Sequence, residues 1–178
     1  VMDDVVRITL FVKNIADIET AKEVCTTFFT GYIPALTAVV ASALPEDALV
    51  QIEAVVSHGD GTPPQAPEDT RYIVIKANNT ENAPKSAYSQ TVAFSHYNHI
   101  SAQLPVDAKT GEMVAGGIKE QADQCLKNIK AIVESVNHVM GDVVKINIAL
   151  ENIEDMEAVD EVYATFFPGG IPARRIIG

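Results

Sequence analysis

Polar and apolar residues alternate in two stretches of the chain that are nearly the same. Residues 5–12 read VVRITLFV, and residues 143–150 read VVKINIAL. Side chains of a β-strand point alternately to opposite faces, so a period of two predicts a strand with one buried face. In the first stretch the predicted buried residues are Val6, Ile8, Leu10 and Val12.

A helix is predicted after each of these strands. Apolar residues recur there at helical spacing, which gives each helix one apolar stripe, and Asp17 and Asp155 stand where an N-cap is expected. A third and longer helix is predicted over residues 118–136. The apolar residues of the first two stripes are Ile18, Ala21, Val24, Cys25 and Phe28, and then Met156, Val159, Val162, Tyr163 and Phe166.

These two regions are copies of one another. Residues 4–36 reappear 138 positions later as residues 142–174, and 17 of the 33 positions are identical without a gap. Each copy therefore predicts a strand, a helix and an Ile-Pro-Ala corner. The copies differ at the residue that closes the corner, which is Leu36 in the first and Arg174 in the second.

Further strands are predicted on both sides of a stretch rich in Gly and Pro. Two strand-like runs follow the first corner, whereas the second copy ends four residues after its own corner and has no such hairpin. The order of elements predicts an α+β fold, with helices packed on one face of a mixed sheet. The additional strand-like runs are residues 37–43, 49–56, 71–77, 88–95 and 98–101.

Composition narrows the classes of partner. The 178 residues are 47% apolar, which indicates a globular chain, and they carry a net charge of −11. Nucleic-acid binding usually needs a basic surface, so we expect no nucleic-acid partner. No apolar run reaches the ~20 residues of a membrane span, and no signal peptide is evident at the start of the chain. We therefore expect no membrane partner and a cytoplasmic location.

Metal and nucleophile chemistry is not indicated by the sequence. Cys25 and Cys125 lack metal-ligand spacing and occupy apolar positions of predicted helices, where a free cysteine acts as a small core residue. The four histidines are scattered and form no ligand spacing. They are His58, His96, His99 and His138.

Several separated motifs carry a family resemblance. They are APKSAYSQ at 83–90, ISAQLP at 100–105, TGE at 110–112, EQ at 120–121, NI at 128–129, DVVK at 142–145, VY at 162–163 and PAR at 172–174. In these motifs the chain resembles the Rid family, the YjgF-like reactive intermediate deaminases that are also labelled endoribonuclease L-PSP. Residues 1–56 resemble the second half of the family pattern through PA at 34–35, LP at 44–45 and IEA at 52–54.

The resemblance implies a fold and an activity. The implied fold is a chorismate-mutase-like α+β domain that assembles as a trimer of the barrel type, with ligand clefts between neighbouring subunits. The implied activity is hydrolysis of small 2-imino and 2-enamino acids, such as 2-aminoacrylate, to a 2-oxo acid and ammonia. The resemblance implies no metal or organic cofactor.

The resemblance also assigns roles to residues. Arg174 stands at the family's arginine position, and a planar guanidinium binds a carboxylate through two parallel hydrogen bonds. Glu53 matches a glutamate position, and a carboxylate there can take a proton from water. Tyr88 and Ser101 match positions that line the cleft. Asp160 joins this substrate-binding set at a position where many members have asparagine, so it adds a negative charge near the substrate.

The repeat and the resemblance together suggest a domain organisation. Residues 1–58 correspond to the C-terminal half of a first Rid-like unit, residues 59–70 to a linker, and residues 71–178 to a second unit without its final hairpin. The chain is then either a piece of a tandem protein or a permuted domain in which residues 37–56 supply the missing strands for residues 71–178, within one chain or by exchange between chains. We favour a tandem origin with strand complementation, in a homotrimer or a pseudo-hexameric assembly of units.

Three functions agree with the sequence. The first is deamination of a small carboxylate-bearing imine or enamine at a cleft between units. The second is a non-catalytic binding or assembly module, because Leu36 leaves one copy without its arginine. The third is the ribonuclease activity of the older family label, which the acidic composition disfavours.

Overall fold

The computed structural model describes residues 2–29, 33–57, 75–81, 88–94 and 97–178, and these form two compact units. Unit 1 comprises Val1–Asn78 and Ala83–Ala102, and unit 2 comprises Asn79–Asn82 and Gln103–Gly178. The helices are α1 (Ile18–Thr26), α2 (Ile118–Ser135) and α3 (Met156–Phe166). The strands are β1 (Val5–Val12), β2 (Ala35–Val40), β3 (Val50–Val56), β4 (Ile75–Ala77), β5 (Thr91–Phe94), β6 (Tyr97–Ile100), β7 (Lys145–Ala149) and β8 (Ala173–Ile177).

The two sequence copies fold in the same way. In the first copy β1 pairs in parallel with β2, and in the second copy β7 pairs in parallel with β8. Arg7 lies opposite Ala35, and Lys145 lies opposite Ala173, which are equivalent positions of the repeat. The predicted strand, helix and corner of each copy are therefore confirmed, as is the mixed α+β class.

In unit 1, β1 is the central strand of a three-stranded sheet in the order β2-β1-β3. Its antiparallel neighbour β3 completes the second edge of β1. Ala21, Cys25 and Phe29 of the α1 region pack on one face with the core that contains Leu36, whereas Val24 and Phe28 of the predicted stripe are exposed. The alternate residues Val6, Ile8, Leu10 and Val12 of β1 are buried, which accounts for the alternation of apolar and polar residues in this strand.

The antiparallel sheet β4-β5-β6 also belongs to unit 1, and hydrogen bonds tie it to the first Ile-Pro-Ala corner. Ser89 donates its backbone N–H to the Pro34 carbonyl and its hydroxyl to the Ile33 carbonyl, at 3.3 and 2.7 Å. The hydroxyl of Ser101 accepts the backbone N–H of Leu36 and donates to the Ser89 carbonyl, both at 2.7 Å. These bonds fix the segment that precedes β2.

Within the single chain, the strand complementation that we expected does not form a shared ladder among the described strands, and complementation between chains stays a prediction. Both β2 and β3 form their ladders with β1, and among the described residues no ladder joins residues 37–56 to residues 71–178. The reason is that β1 is apolar and has two edges, and an unpaired edge is costly, so the two strands nearest in sequence complete it. The bonds of Ser89 and Ser101 join the corner to the β5-β6 hairpin instead. The boundaries 1–58 and 71–178 stay a prediction about sequence units.

In unit 2, the parallel pair β7-β8 and the helices α2 and α3 surround a second apolar core. Tyr163 and Phe167 of the α3 region lie in this core with their ring centroids 4.7 Å apart. The other buried members are Leu126, Met140 and Ile146.

Neither predicted aspartate N-cap forms a side-chain cap. Asp17 and Asp155 already have helical backbone angles, because a 3-10 turn precedes each helix, and their carboxylates accept no capping bond. In the first copy, the 3-10 turn Ile15–Asp17 is capped by Asn14, whose side chain accepts the Ala16 N–H at 3.0 Å.

Within the described part of the chain, no helix is long and apolar enough to cross a membrane.

Asn128 of α2 is buried and holds the loop that leads into the helix. Its amide donates to the carbonyls of Leu104 and Val106 at 3.0 and 2.9 Å, and its oxygen accepts from Gln124 at 2.9 Å. We expect Asn128→Ala to lower the free energy of unfolding by about 2–3 kcal/mol, because three hydrogen bonds of a buried side chain are lost, two of them to loop carbonyls. Urea unfolding measures this.

The matched control is Lys127→Ala, one residue away on the solvent side of α2. Its effect is expected to stay within about 0.5 kcal/mol, since exposed ion pairs contribute little. Equal losses in the two variants would show that Asn128 does not hold the loop.

Candidate functional site

Arg174 and Asp160 form a two-pronged ion pair in unit 2. Arg174 lies on β8 and Asp160 on α3. Nη1 of Arg174 donates to Oδ1 of Asp160, and Nη2 donates to Oδ2 at 3.0 Å. This geometry matches the fork of a guanidinium to both oxygens of one carboxylate.

The register of the parallel strands places Arg174 at this position. Arg174 lies opposite Ile146, so both side chains point to the same face of the pair, and Ile146 is part of the core under α3. The guanidinium carbon of Arg174 lies 5.7 Å from the centre of the Tyr163 ring, within the range of a cation–π contact.

Tyr163 is a rigid platform for this pair. It is 1% exposed, and its ring packs against Phe167. Burial raises the pKa of the Tyr163 hydroxyl, and hydrogen bonding to Asp160 raises the pKa of Arg174. The site at neutral pH therefore contains a neutral phenol and a permanently charged guanidinium.

The pair can be reached from solvent. The side chains of Arg174 and Asp160 are 30% and 36% exposed. Asp160 engages one hydrogen on each Nη, and a guanidinium has five N–H groups, so the Nε edge offers a second carboxylate-binding face.

Tyr88 and Ser101 lie in unit 1, close to the corner of the first copy. Tyr88 is half buried against the core that contains Leu36. Ser101 is buried, and its hydroxyl bonds to the backbone of Leu36 and Ser89. The structure thus groups these two predicted residues around the copy that lacks the arginine.

Glu53 also lies in unit 1. It is exposed on β3 and stands opposite Thr9 of β1. The predicted residues therefore form two groups, with Glu53, Tyr88 and Ser101 in unit 1 and Arg174 and Asp160 in unit 2. The roles assigned to all five stay predictions.

The first copy differs from the second at each position of the ion pair. Leu36 takes the place of Arg174 and is buried in the core of unit 1. Lys22 takes the place of Asp160 and pairs with Glu19 of its own helix at 2.7 Å. The acidic residue and its arginine are thus both absent from the first copy.

The sequence patterns placed Tyr163 in the apolar stripe of its helix and in the VY motif, and they assigned this residue no role in the site. A signal was available, because Asp160 and Tyr163 are three residues apart and hence share a helix face. The equivalent residue of the first copy is Cys25. An aromatic ring is therefore present in the copy that keeps the arginine.

The described residues contain no group of His, Cys, Asp and Glu suited to a metal ion. His58 and His96 lie outside the described residues. Burial raises the pKa of Cys25, and it raises the pKa of Cys125 to about 11. Neither thiol is prepared to act as a nucleophile at neutral pH.

Comparison with known proteins decides the family. The profile of the endoribonuclease L-PSP family matches residues 1–58 and 79–178. The chain belongs to the endoribonuclease L-PSP family, which includes the Rid proteins. The predicted resemblance is therefore confirmed, and two stretches of this Rid-family chain match the family profile.

Curated relatives agree with this assignment. A RutC family protein of Pyrococcus horikoshii is 44% identical over 97 residues, which cover 53% of this chain and 77% of the relative. A 2-iminobutanoate/2-iminopropanoate deaminase of Rattus norvegicus is 38% identical over 104 residues, which cover 57% of this chain and 76% of the relative.

Solved structures share the fold. The crystal structure of the yjgF gene product of E. coli superposes with a TM-score of 0.54 at 37% identity. The match covers 58% of this chain and 84% of that protein. The fold similarity thus extends over most of a known Rid-family protein and over slightly more than half of this chain.

The reactivity of Cys125 provides a test of its burial on α2. At pH 8 a thiol with a pKa near 11 is about 0.1% ionised, and only the thiolate reacts with alkylating reagents. We expect Cys125 to react with iodoacetamide at least about tenfold more slowly in the native protein than in urea. Mass spectrometry of the labelled peptide measures both rates, and equal rates would contradict the burial described here.

Proposed function

We propose that this chain hydrolyses small 2-imino and 2-enamino acids to 2-oxo acids and ammonia. One observation carries the proposal: a partly exposed guanidinium on a fixed aromatic platform, at the arginine position of a family with relatives named 2-iminobutanoate/2-iminopropanoate deaminase. The proposed substrate is an imine or enamine whose carboxylate binds Arg174.

Arg174 positions the substrate in this mechanism. Its Nε edge presents two parallel N–H groups to the substrate's carboxylate, while the other edge holds Asp160. Binding a carboxylate at this edge fixes the adjacent C=N carbon relative to the protein. Such positioning lowers the entropic cost of the reaction.

Glu53 is the proposed general base. An enamine substrate first moves a proton from its nitrogen to its β-carbon and so becomes the imine. Glu53 removes a proton from water as the water oxygen bonds to the C=N carbon, and it gives this proton to the nitrogen, so that the tetrahedral carbon carries a hydroxyl and an amino group. Glu53 then takes the hydroxyl proton and gives it to the amine, which leaves as ammonia while the C=O bond of the 2-oxo acid forms.

Tyr88 and Ser101 are proposed to line the cleft. The two hydrogen bonds of the Ser101 hydroxyl fix the backbone at Leu36 and Ser89, and this fixes the wall that Tyr88 adjoins. We propose that this wall meets Arg174 of a neighbouring subunit, so that the cleft is completed by assembly.

We propose a homotrimer for this assembly. Several large apolar side chains at β3 are exposed in the single chain, where they have no cover against water. They are Leu49 at 69%, Val50 at 43%, Ile52 at 57%, Val55 at 42% and Val56 at 56% exposed.

Ile52→Asp tests the assembly. A buried carboxylate at a subunit interface costs several kcal/mol, so we expect the variant to sediment as a monomer at concentrations where the wild type is a trimer. Asn137→Asp is the control, because it adds the same charge at an exposed position after α2 and outside β3. A monomeric wild type would rule out the trimer.

Arg174→Ala tests the catalytic proposal. Ammonia release is measured while a dehydratase generates 2-aminoacrylate or 2-iminobutanoate. We expect kcat/KM to fall at least about thirtyfold, because two charge-assisted hydrogen bonds are lost. Arg175→Ala removes the same charge from the next residue of β8 and is expected to retain most of the activity.

A non-catalytic binding role is the second candidate, since a protein carboxylate already occupies one edge of Arg174. If wild type and Arg174→Ala both matched the uncatalysed rate of ammonia release, the deaminase proposal would be wrong. Carboxylate binding without turnover would then favour the binding role. Ribonuclease activity that followed the protein peak through purification would favour the third function.

A further inference from the structure

The edge of Arg174 that faces Asp160 is occupied by a carboxylate of the protein itself. A substrate carboxylate on the Nε edge would therefore share one positive charge with Asp160. The two carboxylates repel each other, and no second cation is paired with Asp160 among the described residues.

We propose that Asp160 determines the selectivity of the Arg174 site by competing with the ligand's carboxylate. It lowers the affinity for monocarboxylates and lowers the affinity for dicarboxylates further, which directs the site to small 2-imino monocarboxylates. The choice of imines rests on the proposed function, whereas the competition itself concerns any carboxylate that binds Arg174.

The two copies of the repeat support a specific link between Asp160 and Arg174. Where the arginine becomes Leu36, the acidic position becomes Lys22, which pairs with Glu19 instead. The copies retain the flanking glutamates, because Glu161 corresponds to Glu23 and Glu157 to Glu19. The acidic residue is therefore present in the copy that has the arginine and absent from the copy that lacks it.

The exposure of the pair makes competition feasible. Both side chains are about one-third exposed, so water and small anions can reach the ion pair. Exposed pairs are weak compared with buried ones, and a ligand can therefore displace or share the guanidinium. Tyr163 keeps the guanidinium near its place when Asp160 is changed, because the ring is buried against Phe167.

Asp160→Asn tests the inference. The substitution keeps the shape of the side chain and removes its charge. Binding of 2-oxobutanoate and of 2-oxoglutarate to the full chain is measured by calorimetry; neither compound contains the C=N bond. We expect Asp160→Asn to bind 2-oxobutanoate about five- to tenfold more tightly, and 2-oxoglutarate with a larger gain.

Glu161→Gln is the matched control. It removes the same charge from the next residue of α3, where Glu161 pairs with Lys119 rather than with Arg174. Its effect on either ligand is expected to stay below about twofold. In an Arg174→Ala background, Asp160→Asn should likewise change binding less than about twofold, because the guanidinium for which the two carboxylates compete is absent.

The competition would be overturned by equal gains in Asp160→Asn and Glu161→Gln, which would indicate a general charge effect. Unchanged or weaker binding in Asp160→Asn would overturn it as well. Tighter binding confined to Asp160→Asn supports it even if no variant releases ammonia, and in that case the proposed deaminase activity alone would fail. Conversely, an active enzyme with unchanged carboxylate binding in Asp160→Asn would leave the proposed function and remove this inference.

Discussion

The described structure depends on one constraint, the parallel pairing of the first strand of each copy with the strand that begins at its Ile-Pro-Ala corner. It occurs twice, with the same register, between β1 and β2 and between β7 and β8. The register decides that residue 36 in one copy and residue 174 in the other point toward the helix between the strands. Because of this pairing, a single substitution at the corner changes a buried core position into a charged site.

The two copies use that position differently. In unit 1, Leu36 completes an apolar core, and its backbone N–H is held by the buried hydroxyl of Ser101. In unit 2, the guanidinium of Arg174 lies near the buried Tyr163 ring and pairs with Asp160 at the surface. The residue that closes the corner is therefore a buried core residue in the first copy and a charged residue at the surface in the second.

The site also illustrates why a charged residue at a family position does not define an affinity. Arg174 has the fork geometry that binds carboxylates, but part of that capacity is used within the chain. Tyr163 restricts where the guanidinium can move, and Asp160 restricts what it can bind. The selectivity proposed here follows from those two contacts rather than from the arginine alone.

The sequence alone determined the local elements, the repeat and the family. Alternation in residues 5–12 and helical spacing after it were sufficient, because these patterns reflect burial on one face of a single element. Only the tertiary structure decided that β3 pairs with β1, that Ser101 binds the corner of Leu36, and that Asp160 holds Arg174. Those contacts join residues that are distant in the chain or lie on different elements. Their partners depend on register and packing, which no local pattern records.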